Sequence, residues 1–189
     1  MGHYNQIVFS GFKEKSIENI SEKLEEIFDK FSIKYSVYEN PIHPKIQKKY
    51  LDLVWKYDKE QTDSPFGELV CYIGLKNKSY HVIIGDSSTF RINQSEETFE
   101  KFCDLCQGIA EVLDVKCAIY SEEPTSSELF IPSYINRVWD ILELHDNYKM
   151  CGLVIIHKSE IEQSKAKKLM PLNGKLTLTD SGFYIYKML

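Results

Sequence analysis

Apolar residues recur at Ile17, Ile20, Leu24, Ile27, Phe28 and Phe31, the spacing of a helix with one buried side. Phe99, Phe102, Cys106, Ile109, Ala110 and Leu113 repeat the pattern, each 82 residues after its counterpart. Ser16 and Thr98 stand before the two runs, where a hydroxyl can accept from a free backbone N–H and cap the helix start. After each helix comes a short β-rich stretch, "IKYSVYENP" (33–41) and "VKCAIYSEEP" (115–124), with Lys, a Tyr four residues on, and a later Pro. Then come "YLDLVW" (50–55) and "YINRVW" (134–139), which share Tyr, Val and the chain's two Trp residues.

These correspondences predict an α+β fold built by tandem duplication of a β–α–β–α–β–β unit, with mixed sheets covered by helices. The second helix of each unit would bury Ile46, Tyr50, Leu53, Val54 and Tyr57 in one half, and Ile131, Ile135, Val138, Trp139 and Leu142 in the other. "NQIVFSGF" (5–12) and "STFRIN" (88–93) read as the opening strands. "LVCYIGL" (69–75) and "YHVIIG" (80–85) read as a hairpin about "KNKS", and "MCGLVIIH" (150–157) as the matching strand of the second half. Two additions follow: a helix over "SEIEQSKAKKLM" (159–170), with Ser159 and Glu162 at capping-box spacing and Pro171 as its stop, and a closing hairpin about Asp180-Ser181-Gly182. Residues 1–189 are expected to form one globular unit, with halves 1–86 and 87–189.

Composition fits this picture. Of 189 residues, 43% are hydrophobic and 27% charged, enough apolar material for a core, and 12 Tyr with 10 Phe argue against disorder. No run of about 18 uncharged apolar residues marks a membrane span, and Met1–Phe12 lacks the pattern of a signal peptide. Five cysteines, an odd count without a secreted framework, imply reduced thiols and a cytoplasmic setting. A formal charge of −5 disfavours nucleic acid, leaving the Lys-rich "PKIQKKY" (44–50) as the solvated face of a helix.

Candidate chemistry is thin. Gly85-Asp86-Ser87 follows an apolar strand in the manner that introduces the nucleophile of GDSL-type esterases. That family also carries a His three residues after an Asp, and no Asp here has one. Gly, Asp and Ser are turn formers, so Gly85 to Ser88 is expected to join the two halves. Cys103-x-x-Cys106 has zinc or redox spacing, but zinc needs about two further ligands, and both thiols fall on an apolar helix face, as small buried hydrophobes do. No two of His3, His43, His81, His145 and His157 have metal-binding spacing, although Cys71 and His81 could meet across the hairpin. The sequence calls for no cofactor, no metal and no catalytic set. The aromatic pairs Tyr50/Trp55 and Tyr134/Trp139 suit a core more than a binding site.

Two acidic loops remain, "YDKEQTDSPFGE" (57–68) and "YSEEPTSSE" (120–128). Solvated loops are their ordinary role, and a docking surface for a basic partner is the functional one. On that reading Asp58, Glu60, Asp63, Glu122 and Glu123 bind the partner. The function expected is that of a non-catalytic cytoplasmic protein-binding protein, an inhibitor or an immunity protein against a toxin or enzyme. The alternative is a small-ligand-binding protein or hydrolase with a pocket between the two halves.

Overall fold

The computed structural model describes residues 5–13, 16–33, 36–38, 50–54, 69–76, 79–86, 96–121, 153–162 and 174–188. Nine strands form one sheet: β1 (Asn5–Ser10), β2 (Ser36–Tyr38), β3 (Tyr50–Val54), β4 (Leu69–Lys76), β5 (Ser79–Asp86), β6 (Cys117–Ser121), β7 (Leu153–His157), β8 (Gly174–Leu178) and β9 (Phe183–Met188). Helix α1 (Ile17–Lys30) follows β1, and α2 (Glu96–Leu113) precedes β6. The spatial order is β2-β3-β4-β5-β1-β6-β7-β9-β8. Every pairing among these strands is antiparallel, so the expected mixed sheets are replaced by one antiparallel sheet.

Alternation along the strands assigns the faces. Ile7 and Phe9, Cys71 and Ile73, Val82 and Ile84, Ala118 and Tyr120, Leu153 and Ile155, and Phe183 and Ile185 share one core cluster with both helices. From α1 this cluster takes Ile20, Leu24, Ile27 and Phe28; from α2 it takes Phe99, Phe102, Cys106 and Ile109, among others. The intervening residues Val8, Ile83, Ile119, Val154 and Ile156 belong to the opposite face and are buried as well. Burial on both faces explains why β5 and β7 read as unbroken apolar runs instead of alternating ones.

The two helices end alike. Ser32 and Asp114 both take positive φ, 55° and 50°. The next residue in each case donates five residues back, Ile33 N–H to the Phe28 carbonyl (2.8 Å) and Val115 N–H to the Ala110 carbonyl (3.1 Å). This left-handed closure satisfies carbonyls that the last helical turn leaves open, and both versions stand at the same 82-residue offset. At their starts the helices differ. The Ser16 hydroxyl accepts from the Asn19 N–H at 3.1 Å, as the sequence implies. Thr98 does not cap α2, because that helix already begins at Glu96.

Three other expectations change. Tyr50–Val54 is a strand paired on both sides, with β2 and with β4, so its helix-like spacing yields to sheet pairing. Gly85 and Asp86 end β5 opposite Gln6 and Asn5; they are ladder residues, and the residues after them, Ser87 and Ser88, lie outside the described ones. Lys158–Glu160 is a short 3-10 turn capped by His157, so Ser159 does not cap a helix, and the rest of the segment beyond Glu162 falls outside. The opening strand, the 69–86 hairpin and the closing hairpin form where expected. Trp55, Trp139 and residues 88–93 also lie outside the described residues.

Candidate functional site

The expected partner-binding positions Asp58, Glu60, Asp63, Glu122 and Glu123 all lie outside the described residues. What the fold does place is the chemistry of the described cysteines, histidines and helix carboxylates.

Cys103 and Cys106 occupy α2 and face the core. Burial pushes the Cys103 thiol up to about 12, with Lys187 opposing and Glu100 and Asp104 reinforcing the shift, and burial holds Cys106 well above its ordinary value. Cys117 is also raised to about 12, by burial first and by nearby Glu160 second. Thiols kept protonated in this way are poor nucleophiles and poor metal ligands. Among the described residues no group of three or more His, Cys, Asp and Glu could hold a metal ion. Cys71 and His81 do not meet in the way the hairpin suggested. In the β4–β5 register Cys71 opposes Ile84 and His81 opposes Gly74, and alternation sends the two side chains to opposite faces.

A Ser–His–carboxylate group does occur, at a place that sequence reasoning passed over. Ser159 Oγ lies 2.7 Å from His157 Nδ1 and donates to Glu160 Oε1 at 3.0 Å. The Ser159 N–H also donates to Nδ1 at 3.2 Å, and the imidazole meets the Phe183 ring edge-on at 5.1 Å. In a hydrolytic triad the carboxylate orients the imidazole; here it bonds the hydroxyl and pairs with Lys116 at 3.2 Å. The arrangement therefore closes a turn and fastens β7 to β6. Its signal in the sequence was a His two residues before a Ser at a strand end.

The outer sides of the helices present the strongest electrostatic feature. Helix α1 carries Glu18, Glu22, Glu25, Glu26 and Asp29 against two lysines, and α2 carries Glu96, Glu97, Glu100, Asp104 and Glu111 against one. Ten carboxylates against three lysines give the helix pair a net −7, whereas the whole chain carries −5. Among the described residues negative charge is thus concentrated on the helical layer. Glu18, Glu22, Glu26, Asp29, Glu96, Glu97, Asp104 and Glu111 are exposed. Lys101 holds the Glu97 carboxyl below its usual value by a hydrogen bond and by its charge. The helices pack against one another at Gly108, where a Cβ would stand 3.4 Å from the Phe31 ring and 3.6 Å from Ile27. The two acidic surfaces are therefore held together as one layer.

Strand β1 pairs with β5 on one side and with β6 on the other, so the strands before α2 and the strands after it lie side by side in one ladder. No helix among the described residues is long and apolar enough to cross a membrane.

No family model matches the chain, and no curated protein matches it. Among solved structures it is similar to the Pseudomonas aeruginosa T6SS protein PA0821, with a TM-score of 0.54 and 11% sequence identity. The similarity covers 98% of this chain and 66% of that one, so this chain spans about two thirds of that protein's length. At that identity the likeness shows a shared fold.

Proposed function

We propose that this chain is a non-catalytic cytoplasmic protein-binding protein of the inhibitor or immunity type, and that its partner is a basic protein such as a toxin or enzyme. The observation that carries the proposal is the segregation of charge: a net −7 on the two helices of a chain whose total is −5. Such a surface steers a basic partner in and rejects acidic competitors. On this reading Asp58, Glu60, Asp63, Glu122 and Glu123, which lie outside the described residues, also bind the partner. That the structural neighbour is a T6SS protein is compatible with a role of this kind. The matching helix ends at an 82-residue offset support an origin by internal duplication, which supplies two acidic helices side by side.

The test is a binding titration of this chain against the product of the gene adjacent to its own, since an immunity protein is encoded beside its toxin. A tight complex that weakens steeply with salt, and weakens at least tenfold in a Glu22→Lys/Glu26→Lys/Glu97→Lys variant, is the expected result. A complex indifferent to salt and to that variant would remove the helix layer from the reading, and no complex at all would remove the immunity role.

A further inference from the structure

We infer that β8 is an open edge at which a second copy of this chain pairs antiparallel, centred on Thr177. Among the described strands β8 is outermost on its side of the sheet. Lys175, Thr177 and Leu178 are exposed, and Leu178, at 50%, is the only large hydrophobic exposed among the described residues. Edge strands are ordinarily blunted by Pro, by bulges or by several charges. β8 has an unbroken five-residue register with β9 and a single lysine.

The hydrogen-bond phase shows which groups are free to pair. The Thr179 N–H donates to the Phe183 carbonyl at 2.8 Å. Bonded and non-bonded positions alternate along an antiparallel ladder, so Thr177 and Lys175 also direct their N–H and C=O groups toward β9. Gly174, Leu176 and Leu178 then direct theirs outward. A second β8 can use those groups only in registers that set outward residues opposite one another.

Centring on Thr177 satisfies that rule and makes the strand complementary to itself. Leu176 then faces Leu178 of the other copy, and Leu178 faces its Leu176, so two cross-strand leucine pairs cover the side where Tyr184 and Tyr186 lie next in the sheet. Thr177 faces Thr177. Lys175 faces Thr179 of the other copy and stands beside its Asp180, an exposed carboxylate. Each end of the pairing thus brings a lysine to an aspartate. The acidic helices do not oppose this union. α2 lies over β7 and reaches β9 through the Glu100–Lys187 ion pair. At least three strand spacings, roughly 14 Å, separate it from its equivalent, beyond a screening length of about 8 Å at physiological salt.

Sedimentation velocity of the full chain over a concentration series tests the inference. The expected result is a reversible monomer–dimer equilibrium that Leu178→Pro weakens by about tenfold or more, because the two symmetry-related N–H donors at that position are lost. Among the described residues of the monomer that N–H has no ladder partner, so the circular dichroism melt should change little. Should Leu178→Pro unfold the chain, the charge pair gives an independent readout. Lys175→Asp and Asp180→Lys should each weaken association, and the double exchange should restore it. A chain that stays monomeric to its solubility limit overturns the inference, as does a dimer indifferent to these variants.

Discussion

Ser32 and Asp114 stand 82 residues apart and end their helices in the same left-handed conformation, with φ of 55° and 50°. Neither is glycine, the residue that adopts this conformation at least cost. The closure it permits is shared, Ile33 to Phe28 in one helix and Val115 to Ala110 in the other. Ser32→Gly and Asp114→Gly should therefore each stabilise the fold by about 0.5–1 kcal/mol. Asp114 gives up only an exposed ion pair with Lys13 at 3.7 Å, a contact of small worth. The sites are independent, so urea midpoints of the double variant should shift by the sum of the singles.

Two other glycines should respond in opposite directions to alanine. Gly11 has φ of +80°, and a Cβ there would fall 2.6 Å from Lys116 Cβ, at the point where the Lys116 N–H donates to the Ser10 carbonyl. Gly11→Ala should cost about 2 kcal/mol or more. Gly108 is mid-helix, and its added Cβ would meet Phe31 and Ile27 at ordinary contact distance. Gly108→Ala should gain about 0.5–1 kcal/mol from helix propensity. Chemical denaturation of the two single variants checks both signs.

The buried thiols give stability an alkaline limit. Cys103 and Cys117 titrate near 12 in the folded chain against an ordinary value of 9.0, and Cys106 is also raised. Between those values the unfolded chain loses thiol protons that the folded chain keeps. Their contribution is then complete below pH 9 and declines as pH rises toward 12, by up to about 1.4 kcal/mol per pH unit for each thiol. Urea unfolding at pH 8, 9 and 10 should show midpoints falling only above 9. Substituting Cys103 and Cys117 with Ala should flatten that fall.

Much of the fold was legible because its signals are local. The stripes from Ile17 to Phe31 and from Phe99 to Leu113 each specify one buried helix side, and both helices form there. The β4–β5 and β8–β9 hairpins follow from apolar runs flanking turn residues. Tyr50–Val54 was misread because Tyr50, Leu53 and Val54 fit a helical period, while the pairing partners that make it a strand, Ser36–Tyr38 and Val70–Gly74, are far away in sequence. The acidic layer was visible only as scattered carboxylates. Its charge becomes one surface when α2 packs at Gly108 against Ile27 and Phe31 of α1, a contact between residues about 80 positions apart. The place of β8 at the end of the described strands was equally hidden, since a sequence shows that a strand forms and not which neighbours it takes.

The closing hairpin is fastened to α2 by a side-chain relay whose value can be measured. Ser181 Oγ donates to Glu111 Oε1 at 2.5 Å, the same oxygen accepts from Gln107 Nε2 at 2.8 Å, and Thr179 Oγ1 lies 2.8 Å from Ser181 Oγ. Thr179 Oγ1 also accepts the Phe183 N–H at 2.9 Å, so the relay runs from the helix surface into the backbone of β9. Both Ser181 and Glu111 are exposed, which limits each bond to a modest share of stability. Ser181→Ala and Glu111→Ala should each destabilise the chain by on the order of 1 kcal/mol. Because both remove the same bond, the double variant should lose less than the sum, with a coupling of at least about 0.5 kcal/mol in a double-mutant cycle. Simple additivity would show that the hairpin holds its place through the β7–β9 ladder and the burial of Phe183 and Ile185 alone. Coupling of the expected size would also slow amide exchange at Phe183 relative to the Ser181→Ala variant, since that N–H ends the relay.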